Sequence, residues 1–79
     1  MNLLIVDDEH HVVDWLDELL EDALPQLERY RAFSGVQAQS LLKRARMDIL
    51  LCDIRMPQMS GLMLMEYVLA RWPRCRIIF

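Results

Sequence analysis

The 79-residue sequence predicts an α/β fold built on a parallel sheet. Short apolar runs alternate along the chain with longer stretches whose apolar residues recur at helical spacing. The apolar runs are continuous rather than alternating, which is typical of strands that are covered on both faces. Strands and helices that take turns in this way predict the order β-α-β-α-β-α-β, with parallel strands joined by right-handed crossovers.

The first strand is predicted over residues 2–6, where the run NLLIV precedes three acids at positions 7–9. An amphipathic helix is predicted to follow over residues 9–23 and to end before Pro25. We expect Trp15 to pack between this helix and the sheet. The predicted apolar positions of the helix are Val12, Val13, Leu16, Leu19, Leu20 and Ala23.

A second strand is predicted over residues 27–33, and its alternation of charged and less polar residues places it near a sheet edge. Ser34 is predicted to cap the next helix, because Gln37 stands three residues later at capping-box spacing. Three cations near residues 43–46 suit the end of this helix. Its predicted apolar side consists of Val36, Leu41, Leu42 and Ala45.

The run DILLCD, residues 48–53, predicts a third strand that ends in an acid. A turn is expected around Pro57, and Ser60 is predicted to cap a helix over residues 61–72 that Pro73 ends. The run RIIF, residues 76–79, predicts a fourth strand. The expected apolar face of the third helix consists of Leu62, Met65, Val68, Leu69 and Trp72.

Composition narrows the class of protein. The chain is 54% hydrophobic and 27% charged, which is typical of a folded domain and excludes intrinsic disorder. No stretch reaches the length of a membrane span, and the N-terminus lacks the features of a signal peptide, so we expect a cytoplasmic protein. A net charge of −3 argues against direct nucleic-acid binding by this chain. Cys52 and Cys75 are expected to be reduced thiols.

Acids follow both the first and the third predicted strands. Ligands of parallel sheets bind at the carboxyl ends of the strands, so Asp7, Asp8 and Asp53 are expected to meet if those two strands are neighbours. Crowded carboxylates repel one another unless a cation neutralises them, and Mg²⁺ is the natural cation for a few oxygen ligands. Such a cluster suits the transfer of a phosphoryl group to one carboxylate. Alternatively, each acid is an ordinary loop or cap residue.

Two segments, LLIVDDE and LLCDIRMPQMSGL, resemble the receiver domain of bacterial two-component response regulators. The shared pattern is an acidic pair after the first strand, an aspartate ending the third strand, and then M-P-x-M-x-G. The second segment is most similar to receivers that precede an AraC-type helix-turn-helix domain. The resemblance implies a flavodoxin-like fold with its site where β1 and β3 meet.

The resemblance also implies a role for each site residue. Asp53 would accept a phosphoryl group from a sensor histidine kinase, and Asp7, Asp8 and Asp53 would bind Mg²⁺. The backbone carbonyl of Arg55 would supply a further metal ligand, while its side chain would influence how fast the phosphate is lost. An output domain, expected to bind DNA, would respond in the intact protein.

The sequence departs from the receiver pattern because it ends within the fourth predicted strand. A receiver carries a Ser or Thr after the fourth strand and a Lys after the fifth, so residues 1–79 are expected to form a partial receiver domain. An open strand edge and exposed apolar surface would then favour a homodimer or an oligomer with exchanged elements.

Two other functions remain open from the sequence. The chain could be an interaction or dimerisation module that is not phosphorylated. A phosphatase of the haloacid-dehalogenase kind would also use a nucleophilic aspartate, but it requires an acid two residues later, where this chain has Arg55.

Overall fold

Four short strands form one parallel sheet in the order β2-β1-β3-β4, with three helices in the crossovers between them. This computed structural model describes all 79 residues. The predicted α/β class, the order of the elements and the flavodoxin-like strand order are confirmed. The elements are β1 (Asn2–Val6), α1 (His10–Ala23), β2 (Glu28–Ala32), α2 (Gly35–Arg44), β3 (Ile49–Cys52), α3 (Gly61–Arg71) and β4 (Arg76–Ile78).

The pairing of β1 with β3 forms the centre of the sheet. The register sets Leu3 beside Ile49 and Val6 beside Cys52, so the two strands end at the same level. Leu3, Leu4 and the next two residues of β1 are buried, which explains why its sequence is continuously apolar.

The two faces of the sheet pack against different helices. Alternate residues of β1 point to opposite sides. Leu4 and Val6 join the larger core, which α2 and α3 complete, whereas Leu3 and Ile5 pack with Val13 of α1 in a smaller core. The larger core comprises Leu4, Val6, Ala32, Ala38, Leu42, Met47, Leu50, Cys52, Met56, Leu64, Val68 and Cys75.

Strand β2 lies at an edge of the sheet, as its mixed sequence predicts. Two of its arginines reach across to acids of α1: Arg29 Nε lies 2.8 Å from Asp17 Oδ1, and Arg31 Nη1 lies 2.9 Å from Asp14 Oδ1. The first pair is largely shielded from water and the second is about half exposed. The charges of β2 therefore anchor α1 to the outermost strand.

Five apolar side chains predicted to be buried are exposed, and one of them is Ala23 at the end of α1. Trp15 and Leu19 are 62% and 50% exposed, because they lie one turn apart on the side of α1 that faces away from the sheet. Val36 and Leu62 are 60% and 50% exposed, because each lies about 100° around its helix from the buried glycine before it and off the buried side of that helix. In α3 the buried residues are Gly61, Leu64 and Val68, so the predicted face was wrong at Leu62 and missed Leu64.

Serine side chains cap α2 and α3, as predicted. Ser34 Oγ accepts a hydrogen bond from the Gln37 N–H at 3.1 Å, and Ser60 Oγ accepts one from the Met63 N–H at 3.3 Å. The Gln37 side chain reaches back to the Phe33 N–H at 2.9 Å. These bonds satisfy donors that the start of a helix would leave free.

Gly61 touches the backbone that follows β3. Its N–H donates to the carbonyl oxygen of Ile54 at 2.8 Å. A Cβ added at Gly61 would overlap the carbonyl oxygen of Asp53 and lie 2.9 Å from Ile54 Cα. No glycine has a positive φ, so Gly61 is needed for close approach rather than for an unusual dihedral angle.

Replacing Gly61 with alanine is expected to lower the free energy of unfolding by about 2 kcal/mol, because backbone atoms block the added methyl group. Gly35→Ala is the matched control. A Cβ there meets side-chain atoms of Met59 at 2.7 to 2.9 Å, Met59 Cβ among them, so the Met59 loop must shift. No backbone atom blocks it and alanine favours the helix, and the expected loss is therefore smaller than at Gly61. Urea denaturation measures both variants. Equal losses for the two, or a larger loss for Gly35→Ala, would contradict this account of Gly61.

Candidate functional site

Three acids lie at the carboxyl ends of β1 and β3. Asp7 directly follows β1, and its N–H donates to the carbonyl oxygen of Ala32 in β2 at 3.2 Å. Asp53 directly follows β3, and its N–H donates to the carbonyl oxygen of Val6 at 3.0 Å. The sheet ladder thus continues by one bond past each strand and fixes the backbone of both aspartates.

The carboxylates of Asp7, Asp8 and Asp53 come together at this edge of the sheet. One oxygen from each can be chosen such that the three all lie within 4.8 Å of one another. Asp7 and Asp53 are half-buried, whereas Asp8 is exposed. No other group of three or more Asp, Glu, His or Cys side chains in the chain has comparable spacing. The structure therefore brings together the three acids that were predicted to meet from their positions after the strands.

The charge of this cluster is not balanced by any protein cation. Burial raises the pKa of Asp7 above its ordinary value of 3.8, and the charges of Asp53 and Asp8 raise it further, while a hydrogen bond from the Glu9 N–H opposes them. Three carboxylates held this close favour a bound cation, because a cation offsets their repulsion. Their oxygens are the ligands that a hard divalent cation prefers, so the donor set fits a metal of the Mg²⁺ type.

The loop after β3 presents Asp53 and is anchored at both ends. The Arg55 N–H donates to Asp53 Oδ1 at 3.2 Å, which orients the carboxylate. Met56 is buried in the larger core and holds the chain against the sheet. A tight turn follows, in which the Met59 N–H donates to the Pro57 carbonyl at 2.7 Å and Gln58 has a φ of 70°. A non-glycine residue at positive φ stores strain, which is common in loops that form sites.

Arg55 has an exposed side chain that forms no ion pair in the structure. Its backbone N–H contacts Asp53, as described above, but its carbonyl oxygen takes part in no recorded hydrogen bond. The roles expected for the carbonyl as a metal ligand and for the guanidinium in phosphate loss stay predictions.

An apolar cleft of about 320 Å³ adjoins the acids. Asp7 and Asp53 form its polar end, and the remainder of its lining is apolar. This lining places apolar surface on one side of the acid cluster. The apolar lining consists of Ile5, Val6, Leu16, Leu51, Cys52, Ile78 and Phe79.

Cys52 lies beside the site but does not belong to its chemistry. Both cysteines are free and buried, as expected for reduced thiols. Burial raises the pKa of the Cys52 thiol to about 11, and the charges of Asp53 and Asp7 add to the effect. Cys52 is thus a neutral thiol at ordinary pH, and the reactive thiolate form is disfavoured.

One contact near the site was missed by the sequence interpretation. The side chain of His10 is exposed, and its ring stacks on Phe33 with ring centroids 4.0 Å apart and ring planes 20° from parallel. The sequence did contain a signal for this contact: His10 begins the helix after β1, and Phe33 directly follows β2. Strands β1 and β2 are neighbours, so their ends lie close together.

Comparison with known proteins agrees with the geometry. The family model described as "Response regulator receiver domain" matches residues 3–79. The cyclic di-GMP phosphodiesterase response regulator RpfG of Xanthomonas campestris pv. campestris is 39% identical over 62 residues, which cover 78% of this chain and 16% of that protein. The chain therefore spans about a sixth of the length of this relative.

Two solved structures have closely similar folds. The chemotaxis response regulator CheY4 of Vibrio cholerae superposes with a TM-score of 0.86 at 27% identity, over 96% of this chain and 63% of that one. A two-component transcriptional regulator AraC of Clostridium phytofermentans superposes with a TM-score of 0.84 at 33% identity, over 100% of this chain and 64% of that one.

None of the three helices has the length and apolar character that crossing a membrane requires. The parallel sheet, the acids at the ends of β1 and β3 and the family match over almost the whole chain all agree. The chain belongs to the response regulator receiver domain family.

Proposed function

We propose that the chain is the phosphoacceptor part of a two-component response regulator. In this proposal Asp53 takes a phosphoryl group from a sensor histidine kinase, and Asp7, Asp8 and Asp53 bind Mg²⁺. The observation that carries the proposal is the meeting of three carboxylates within 4.8 Å at the ends of two adjacent parallel strands.

Asp53 has one carboxylate oxygen oriented and the other free to react. Oδ1 accepts the Arg55 N–H, whereas Oδ2 accepts no hydrogen bond within the protein. In the proposed step Oδ2 attacks the phosphorus of a phosphohistidine, the P–N bond breaks, and the imidazole nitrogen keeps the electron pair. The product is an acyl phosphate on Asp53.

Asp7 and Asp8 would hold the metal beside that oxygen, together with the backbone carbonyl of Arg55. When bound, Mg²⁺ supplies positive charge that offsets the carboxylates and the phosphoryl oxygens. Asp7 Oδ1 accepts the Glu9 N–H at 3.0 Å, which fixes the carboxylate and leaves its second oxygen for the cation. The apolar wall of the adjoining cleft would limit water on one side.

In the intact protein we propose that residues 1–79 are the N-terminal part of a receiver whose Ser or Thr and Lys lie further along. A non-enzymatic signalling role follows, in which phosphorylation biases a two-state element and an output domain responds. Similarity to a two-component transcriptional regulator AraC supports an output that binds DNA, and hence a cytoplasmic location. The net charge of −3 supports leaving DNA contacts to that output domain.

Mg²⁺ is expected to stabilise the chain through the acid cluster. At about ten times its Kd the cation would raise the free energy of unfolding by about 1.4 kcal/mol. Asp53→Asn is expected to lose this effect and to prevent the mass increase of one phosphoryl group after incubation with acetyl phosphate. Asp22→Asn, which changes an exposed acid without an ion pair, should behave like the wild type. Thermal unfolding and mass spectrometry provide the readouts. An equal Mg²⁺ effect in Asp53→Asn would contradict the assignment of Asp53.

Asp7→Asn is expected to stabilise the metal-free chain while it weakens the response to Mg²⁺. The folded-state pKa of Asp7 is raised, so its protonated form contributes stability that is lost as pH rises through that pKa. At neutral pH the variant should therefore gain about 1 kcal/mol, the scale of one close charge pair in water.

The gain from Asp7→Asn should shrink at about pH 3, where Asp7 of the wild type is neutral as well. Urea denaturation in EDTA at several pH values measures the difference between the two proteins. A variant less stable than the wild type at neutral pH would contradict repulsion within the cluster.

A second proposal concerns self-association of the 79-residue chain. Strand β4 pairs only with β3, so its other edge is open. Ile78 and Phe79, at the end of this strand, are half exposed and border the apolar cleft. Open strand edges beside apolar surface favour pairing with another chain. We infer that the chain forms a homodimer, with a second copy covering this edge or exchanging elements.

Light scattering at micromolar concentration is expected to give at least twice the mass of one chain. Ile78→Lys should shift the population toward monomer, because it places a charge on the open edge. Leu62→Lys is the matched control, since Leu62 is equally exposed but lies on α3. A compact wild-type monomer would rule out the dimer.

A further inference from the structure

The stack of His10 on Phe33 connects the start of α1 to the end of β2. The ring centroids lie 4.0 Å apart and the planes differ by 20°, which is a close, nearly parallel contact. His10 is the first residue of α1 and stands directly after the segment that carries Asp7 and Asp8. Phe33 is the first residue beyond β2. The stack therefore bridges two neighbouring strand ends at the level of the acid cluster.

Phe33 is itself held in place by groups outside the acid cluster. Its N–H donates to Gln37 Oε1 of α2 at 2.9 Å. Its ring packs against the smaller core, which includes Val13 of α1. Gln37 is fixed in turn because its own N–H binds the capping oxygen of Ser34. The phenyl ring thus gives His10 a rigid surface to stack on.

Electrostatic repulsion would displace the segment between β1 and α1, residues 7–9, if no contact restrained it. Its three residues are all acids, and the carboxylates of Asp7 and Asp8 face that of Asp53. Repulsion favours a loop that spreads these charges apart. Hydrogen bonds already restrain the segment: the Asp7 N–H donates to Ala32, the Glu9 N–H donates to Asp7, and the Glu9 carbonyl accepts the N–H groups of Val12 and Val13 in α1. The bonds to Glu9 join the segment to α1 only, and the stack adds a contact from the first residue of α1 to the end of β2.

We propose that His10 and Phe33 are positioning residues for the metal site, a role that rests on the proposed binding of Mg²⁺ by this cluster. The stack holds the first turn of α1 against β2, so Asp7 and Asp8 stay close to Asp53 before the cation arrives. A site that is already arranged loses less of its binding free energy to ordering. Neither ring touches the cation. Their effect is on the arrangement of its ligands.

Isothermal titration of Mg²⁺ into the 79-residue chain at one fixed pH tests the proposal. His10→Ala and Phe33→Leu are expected to raise the Kd for Mg²⁺ three- to tenfold, which corresponds to about 0.7 to 1.4 kcal/mol. The conservative variants His10→Phe and Phe33→Tyr retain a stacked pair and should bind Mg²⁺ as the wild type does. His11→Ala is the matched control, because His11 is the adjacent exposed histidine and forms no aromatic stack; its one ion pair is to the exposed Glu9, at 3.4 Å. The double variant His10→Ala/Phe33→Leu should bind no more weakly than the poorer single variant.

Circular dichroism establishes a temperature at which each variant is fully folded, and each titration is run there. A weaker binding of Mg²⁺ then reports a change in the site and not a loss of folding. Weaker binding in His10→Ala that His10→Phe restores supports the proposal. An unchanged Kd in His10→Ala, an equal change in His11→Ala, or no rescue by His10→Phe overturns it while the metal site stands. A wild-type chain that binds no Mg²⁺ overturns both the metal site and this inference.

Discussion

The parallel pairing of β1 with β3 is the constraint on which the rest of the structure depends. It fixes the register of Val6 beside Cys52 and continues for one further hydrogen bond, from the Asp53 N–H to the Val6 carbonyl. Because both strands end at the same level, the residues after them must share one small region of space. The strands are apolar since they lie at the centre of the sheet, and the acids follow at the point where the sheet meets water. A single pairing thus accounts for both the core and the acid cluster.

The acid cluster destabilises the folded state, and the residues around it hold its carboxylates in place. Burial and neighbouring carboxylates raise the pKa of Asp7, so the ionised cluster opposes the folded state when no cation is bound. The restraints come from several elements: hydrogen bonds to Asp7 and Asp53, the core side chain of Met56, the close contact of Gly61, and the stack of His10 on Phe33. Sites that keep like charges together commonly trade stability for binding. In this chain the residues that lower stability in favour of binding are the few acids after β1 and β3.

The sequence predicted those features that depend on pattern and topology. Continuous apolar runs identified the central strands, and the rule that parallel sheets bind ligands at the carboxyl ends of their strands predicted that Asp7, Asp8 and Asp53 meet. It failed where the outcome depends on how a helix is rotated. The apolar residues of α1 cover a wider arc than the sheet can bury, so Trp15 and Leu19 remain exposed. The contact of His10 with Phe33 depends on strand register and side-chain rotamers together, and residue spacing contains neither.

In the proposed function the three carboxylates form one divalent-cation site that serves Asp53. Crystals of the chain grown with Mn²⁺ in place of Mg²⁺ test it directly, because manganese gives an anomalous signal that locates the ion. We expect one strong peak at the ends of β1 and β3, with oxygens of Asp53 and the acid pair or their bridging waters at about 2 Å. Crystals that take up manganese elsewhere, or that leave this position without a peak at millimolar Mn²⁺, would contradict it.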